Sequence, residues 1–259
     1  MDDDVETRVW FVGAGPGDPE LLTVKAARLL GSAECCVYAG SLVPDAITSL
    51  VPADVQRLDS ARMDLTEIVD AMVQAARVGK RVVRLHSGDP SIYGAIAEQM
   101  RELDKAGVAY GVVPGVSSFL AAAAALKTEL TSPGVAQTVV LTRASGRTHK
   151  PERESLAAVS RLGATVCLFL SVDKLADAAR ELEPEFGSDC PAAVVRHVSR
   201  PDQIVVRGTI ADIAAKTAAA GITRTALAVF GRALAGAGED SRLYSRSFEH
   251  GYRDGRTQP

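Results

Sequence analysis

The sequence has no CxxC pair, no cluster of histidines and no long apolar run. Its four cysteines (Cys35, Cys36, Cys167, Cys190) and four histidines (His86, His149, His197, His250) are scattered through 259 residues. Dedicated metal sites place their ligands at short, fixed spacings, so no metal is expected. Cys35, Cys36 and Cys167 read instead as buried thiols on strands. No stretch approaches the roughly 18 uninterrupted apolar residues of a membrane span, and the most apolar run, 116–126, is short and alanine-rich. The opening Met1-Asp2-Asp3-Asp4 lacks the basic start and apolar segment of a secretory signal, so a cytoplasmic location is expected. A basic excess is also missing. The formal net charge is −3, and a protein that displaces counterions from a polynucleotide is usually basic, so no nucleic-acid partner is expected. No internal repeat is evident.

What is present is an ordinary globular composition, 47% apolar and 24% charged. At about 150 residues per domain the length suits two domains. Short apolar runs alternate with amphipathic stretches. Residues 8–13 (RVWFVG), 34–39 (ECCVYA), 81–86 (RVVRLH) and 108–113 predict strands. Residues 22–30, 64–78, 92–106 and 116–126 predict helices, with Asp64 as a cap. Strands separated by helices give βαβ units and a mostly parallel sheet. After a turn-rich stretch at 127–136 the pattern restarts with strands at 138–142, 165–170, 192–198, 203–208 and 225–231 and a helix near 210–219. Only four residues separate the strands at 192–198 and 203–208. That gap is too short for a helical crossover, so an antiparallel hairpin and a mixed second sheet are expected. The expected division is an N-terminal α/β domain at 1–115, a connecting helix and linker at 116–136, a C-terminal α/β domain at 137–240 and a tail at 241–259.

Ligands of open α/β sheets bind outside the carboxyl ends of the strands. Three glycine-rich segments fall at such ends: 13–19 (GAGPGDP), 87–94 (SGDPSIYG) and 114–118 (PGVSS). If the N-terminal strands are parallel, all three converge on one edge. The first segment invites a dinucleotide reading, and the alternative of a nicotinamide enzyme. However, Pro16 and Pro19 delay the helix that should follow the second glycine. The tip of the second strand, Val37-Tyr38-Ala39-Gly40, also carries no acid for a ribose. A phosphate-binding P-loop is excluded because no GK[ST] follows. Asp89 serves either as a cap or as a ligand contact, and Ser117 and Ser118 are caps, ligand contacts or both. Residues 143–149 (RASGRTH) carry two arginines, whose forks match carboxylates; the plain alternative is a solvated basic loop.

Taken together, GAGPGDPELLTVKA at 13–26, YAGSLV at 38–43, GDPSIYGA at 88–95 and PGVSS at 114–118 resemble the tetrapyrrole (corrin and porphyrin) methyltransferases. TRASGRT at 142–148, CLFLS at 167–171 and the tail SRLYSRSFEHGYR at 241–253 extend the resemblance over nearly the whole chain. It implies two α/β domains with a ligand cleft between them, a homodimer, S-adenosyl-L-methionine as methyl donor with S-adenosyl-L-homocysteine as product, and an acidic tetrapyrrole as substrate. By matched motif, the donor contacts implied are Pro16, Ser87, Gly88, Asp89, Ile92, Ser117 and Ser118. By strand pattern, they extend to Leu170, Ala193 and Ala226. Members acting on uroporphyrinogen often carry arginine after GDPxxxG. Here Ala95 stands there, which argues against that reaction and leaves carboxylate binding to Arg84, Arg143, Arg147 and Arg196. The ring must lose a proton after transfer, and the candidate bases are His86, Tyr93 and Asp18.

Overall fold

The structure, a computed structural model, describes residues 7–146, 149–236, 238–241, 245, 247–249 and 251–253. It divides into two compact units. The first runs to Ala125 and also takes in His197–Ile204; the second comprises Leu126–Arg196 and the chain from Val205.

The first unit is built on five strands: β1 (Val9–Gly13), β2 (Cys35–Tyr38), β3 (Gln56–Asp59), β4 (Val82–His86) and β5 (Tyr110–Val113). All pairings are parallel, in the order β3-β2-β4-β1-β5. The central strands are apolar because helices cover both faces. On one face Trp10, Val12, Cys36, Val83 and Leu85 pack with Leu29 and Leu30 of α1 (Val24–Gly31) and Ile47 of the short α2 (Asp45–Thr48). On the other, Val9, Phe11, Cys35 and Val37 meet Met72 of α3 (Leu65–Arg77) and Leu103 of α4 (Ile96–Lys105). Met72 and Leu103 are fully buried, each contributing roughly 1.5–3 kcal/mol of transfer free energy. Asp64 caps α3 as expected, in a reciprocal box with Glu67: Oδ1 accepts from the Glu67 N–H at 2.9 Å, and Glu67 Oε2 accepts from the Asp64 N–H at 2.9 Å. An alanine-rich α5 (Ser118–Leu126) follows β5.

Two corrections concern the first unit. The helix expected over 92–106 starts only at Ile96. Tyr93 (φ +55°) and Ala95 (φ +51°) adopt left-handed backbone, and a Cβ on Gly94 would lie 2.1 Å from the Pro90 carbonyl oxygen. A tight turn therefore stands where the helical start was expected. β3 is not among the expected strands; as a mostly exposed sheet edge it carries no apolar alternation.

The second unit holds β6 (Val139–Arg143), β7 (Thr165–Phe169), β8 (Pro191–Arg196), β9 (Ile204–Thr209) and β10 (Ala226–Phe230), in the order β6-β7-β10-β8-β9. β6 and β7 are parallel, while β10 runs antiparallel to β7 and β8. This sheet is mixed, as the short gap after β8 predicts. Helices α6 (Leu156–Ser160), α7 (Leu175–Phe186) and α8 (Ile213–Ala219) pack against it, burying Leu156, Leu182 and Ile213. Neither α6 nor α7 is among the expected helices. No described helix is long and apolar enough to cross a membrane.

Candidate functional site

The parallel order carries the ends of β4, β1 and β5 to one edge of the first sheet, and there the three glycine segments meet. Gly13 pairs with His86 and Val12 with Val113. Beyond the strands, the Ala14 N–H donates to the His86 carbonyl at 2.7 Å. Gly15 and Gly88 then exchange both backbone hydrogen bonds, at 3.2 and 2.8 Å. The third loop closes onto them. A Cβ on Gly115 would fall 2.2 Å from the Gly88 oxygen, and one on Gly13 would fall 2.6 Å from the Gly115 Cα. Side chains are excluded at this junction because backbone touches backbone.

Asp89 pins the junction. Its Oδ1 accepts from the Ser91 N–H at 2.8 Å and its Oδ2 from the Gly115 N–H at 2.9 Å. The carboxylate is thereby used as a turn cap and as a staple between two loops. Gly88 (φ +63°) faces Ser117, whose Cα lies 3.6 Å from the position a Gly88 Cβ would take. Ser117 is buried, and its hydroxyl makes no hydrogen bond among the described residues. Pro16 is buried next to Gly15, and Ser87, Ile92 and Ser118 are half-buried. The first segment does not open a helix. Asp18 instead caps a 3-10 turn at Pro19–Leu21, its Oδ1 accepting from the Glu20 N–H at 2.9 Å, and α1 begins only at Val24. That geometry lacks the helix N-terminus on which a pyrophosphate would sit.

His86 lies beneath this edge, 5% exposed, with Nε2 buried and without a hydrogen-bond partner among the described residues; its ring centroid is 6.0 Å from that of Phe11. Burial, and then the charge of Arg84, lower its pKa to about 3. The imidazole is therefore neutral and weakly basic at neutral pH. Tyr93, by contrast, is 44% exposed.

Arg84 is buried too. Its Nε donates to Gln99 Oε1 at 3.0 Å, and its Nη1 donates to Ser60 Oγ at 3.0 Å and to the Val37 oxygen at 3.4 Å. Burial brings its pKa down to about 10, so it keeps its charge with neutral partners only.

In the second unit, strand register gathers a different set at one sheet edge. Arg143 pairs with Phe169, Ala226 pairs with Arg196, and Leu170 follows directly on β7. Leu170 is 67% exposed with φ +52°, an apolar side chain held outward on strained backbone. Ala193 lies deeper, paired with Val229 inside β8 and 1% exposed. Arg143 donates to the carbonyls of Ala144 (3.4 Å) and His149 (3.1 Å). Arg147 lies outside the described residues.

Sequence patterning also missed residues that shape these edges. Ser199 and Arg200 pack on the first glycine segment, and Lys150 and Lys174 surround the 143–146 turn. No local signal marks them, since their partners are remote in sequence or their contacts depend on loop closure. Among the described residues no group of three or more His, Cys, Asp or Glu is placed to hold a metal.

A parallel sheet whose glycine tips converge, followed by a mixed second sheet, defines a class. Residues 8–214 match the tetrapyrrole (corrin/porphyrin) methylases, and the chain belongs to that family. The particular relatives are close. A precorrin-4 C(11)-methyltransferase of Rhodococcus erythropolis is 51% identical over 243 residues, covering 93% of this chain and 98% of the relative. A cobalt-precorrin-4 C(11)-methyltransferase of Methanocaldococcus jannaschii is 46% identical over 252 residues, covering 96% and 97%. Among solved structures, a cobalt precorrin-4 methyltransferase of cobalamin biosynthesis superposes with a TM-score of 0.86 at 41% identity, covering 90% of this chain and 98% of that one. The uroporphyrin-III C-methyltransferase of Thermus thermophilus, solved with S-adenosyl homocysteine, gives 0.73 at 30%, covering 88% and 93%.

Proposed function

We propose that this protein transfers a methyl group from S-adenosyl-L-methionine to C11 of precorrin-4, giving precorrin-5 and S-adenosyl-L-homocysteine in cobalamin biosynthesis. The observation that carries this reading is the three-loop junction of Gly15, Gly88 and Gly115, in a chain whose close relatives over nearly full length bear that name. The junction fits the donor. It offers backbone to approach at Gly88, the side chain of the buried Ser117, and the Nε2 of His86 beneath, unpartnered among the described residues. When bound, the donor supplies a methyl group already activated by a positively charged sulfur, so the chain's own task is alignment.

Pro16, Ser87, Gly88, Ile92, Ser117 and Ser118 of the first unit are the proposed donor contacts, with Leu170 and Ala226 from the second. Rigid placement is where the rate comes from. Holding reactants in near-attack geometry can supply on the order of 7–11 kcal/mol of the barrier, and a staple such as Asp89 to Gly115 holds loops still. Asp89 and Ala193 act in this reading through the loops and strand they brace. His86 contributes as a neutral polar group, because a group titrating near 3 is a poor proton acceptor. Asp18 and Tyr93 remain the candidates for the ring proton. Arg143, Arg147 and Arg196 are the proposed contacts to substrate carboxylates. The homodimer and the cytoplasmic location expected from the sequence belong to the same reading.

The test is incubation of purified protein with labelled donor and precorrin-4 or cobalt-precorrin-4 in parallel. A single methyl group placed at C11 in one of the two products supports the reading, and the better substrate settles the metal state. Methylation at another position, or none of either macrocycle, overturns it.

A further inference from the structure

The YAGSLV segment at 38–43 plays no part in the function proposed above, yet it stands on the same edge of the first sheet. Tyr38 pairs with Leu85, the residue before the end of β4, so the loop after β2 leaves the sheet beside the glycine junction. That loop is fixed along its length. At its base Ser60 Oγ donates to the Tyr38 carbonyl at 3.0 Å. In its middle the Gly40 N–H donates to Asp59 Oδ1 at 2.9 Å, and a Cβ on Gly40 would lie 2.3 Å from Asp59 Oδ2. The same Oδ1 accepts from the Ala61 N–H at 2.9 Å. At its far end the Leu42 and Val43 N–H groups both donate to the Ala39 carbonyl, at 2.9 and 3.0 Å, and Val43 is buried.

One side chain reaches both this loop and the loop after β1. Residues 197–204 fold with the first unit. From them Arg200 fills the place a Cβ of Gly17 would take, and its Nη2 donates to the Leu42 carbonyl. The turn that delivers Arg200 is held tightly. His197 (φ +48°) and Ser199 (φ +64°) adopt left-handed backbone, which persists where the surroundings enforce it. The Arg200 N–H donates to the His197 carbonyl and the Gln203 N–H to the Arg200 carbonyl, both at 3.0 Å. Burial lowers the pKa of Arg200, with the charge of Asp202 working the other way. An apolar side chain would cover Gly17 without that desolvation. The guanidinium adds what an apolar group lacks, a donor that reaches the Leu42 carbonyl.

We infer that Arg200 is a positioning residue for the methyl donor. It ties the loop after β1, which carries Pro16, to the loop at 39–43, which serves as a fixed post, so that the two hold one arrangement. Arg200 acts through Gly17 and not on the ligand itself. Naming the ligand as the adenosyl donor rests on the function proposed above; the tie between the two loops does not.

The experiment uses the full chain, the variants Arg200→Met, Arg200→Lys and Asp59→Ala, and the double variant of Arg200→Met with Asp59→Ala. Arg232→Met, which breaks the Arg232–Asp189 pair at 2.8 Å, controls for lost stability. Adenosylhomocysteine is titrated by calorimetry well below the melting temperature of each protein. Arg200→Met keeps an apolar stem over Gly17 and removes the donor; it should weaken binding about tenfold. Arg200→Lys keeps a charged donor and should stay within about threefold of wild type. Asp59→Ala loosens the post and should weaken binding too. The double variant should lose little more than the larger single loss, because both residues act along one chain of contacts. Arg232→Met should bind as wild type does. Unchanged affinity in Arg200→Met, equal losses in the Met and Lys variants, additive losses in the double variant, or weakening in the control overturns the inference. Wild-type protein that ignores adenosylhomocysteine overturns the functional reading instead, and amide hydrogen exchange then decides the tie. Joint loss of protection at 15–18 and 39–43 in Arg200→Met retains it, and loss at one alone or at neither removes it.

Discussion

Arg200 lies across Gly17. A Cβ on that glycine would sit 2.6 Å from Arg200 Cγ and 2.9 Å from Nε, and the guanidinium reaches on to donate to the Leu42 carbonyl. Nε itself is buried with no acceptor among the described residues. Beside it, the Asp18 N–H donates to Ser199 Oγ at 3.0 Å. The segment is braced before it arrives: the Ser199 N–H donates to Gln203 Oε1 at 2.8 Å, and His197 Nδ1 lies 2.6 Å from Asp202 Oδ2. The loop carrying Pro16 is therefore held from outside by residues about 180 positions away.

Gly17→Ala should lower stability by about 1–3 kcal/mol, since φ is +145° and the methyl group meets Arg200. Part of that cost comes from the clash. In the Arg200→Ala background the same substitution should cost less, with a coupling of about 0.5 kcal/mol or more. Chemical denaturation of the four proteins measures it; strictly additive losses would show that the two residues do not press on each other.

His86 should make stability depend on pH. Its folded pKa, about 3, lies below the unfolded value, so the unfolded chain takes up the proton first as pH falls. The contribution is intact above about 6.5 and is lost between there and about 3, with a slope approaching 1.4 kcal/mol per pH unit in that window. Urea midpoints from pH 7 down to 4 should fall more steeply for wild type than for His86→Phe. Parallel curves would refute the assignment.

Removing the Asp89 staple should loosen the glycine junction. Asp89→Ala leaves the N–H groups of Ser91 and Gly115 without their acceptor, at a cost of about 1–3 kcal/mol for each that stays buried. Adenosylhomocysteine binding should weaken along with the melting temperature. A full loss of the two bonds with unchanged ligand affinity would separate the staple from the site.

Arg84 and Gln99 should respond asymmetrically. Gln99→Leu strands a buried guanidinium without its Nε acceptor and should cost about 2–3 kcal/mol. Arg84→Met removes the charge together with its desolvation penalty and should cost less, despite freeing Gln99. Equal losses in thermal or urea unfolding would contradict this.

The parallel first sheet was legible because βαβ alternation shows as apolar runs spaced by amphipathic ones, and a buried parallel strand can be nothing but apolar. The convergence of the glycine tips followed from parallelism alone. Asp64 was legible as a cap because capping is a local event. Polar or short elements such as β3 and α6 were not, since their burial is one-sided and their hydropathy is that of loops. The late start of α4 escaped for a different reason: apolar periodicity runs on through 92–95, and the left-handed backbone of Tyr93 and Ala95 that breaks the helix there is a feature of the folded turn.

Sequence by itself thus determined the apolar strands and the amphipathic helices of the first unit, the glycine-rich tips, and which family of sites the tips belong to, because these depend on neighbours a few residues away. Tertiary structure alone decided the use to which each polar group is put. It assigned the Asp89 carboxylate to a loop and sank Arg84 and His86 beneath the edge. It also brought Arg200 to Gly17 and Lys174 to Gly146. Those outcomes depend on distances across the fold, and burial, which fixes the cost of a charge or an unmade hydrogen bond, is a property of the packed molecule.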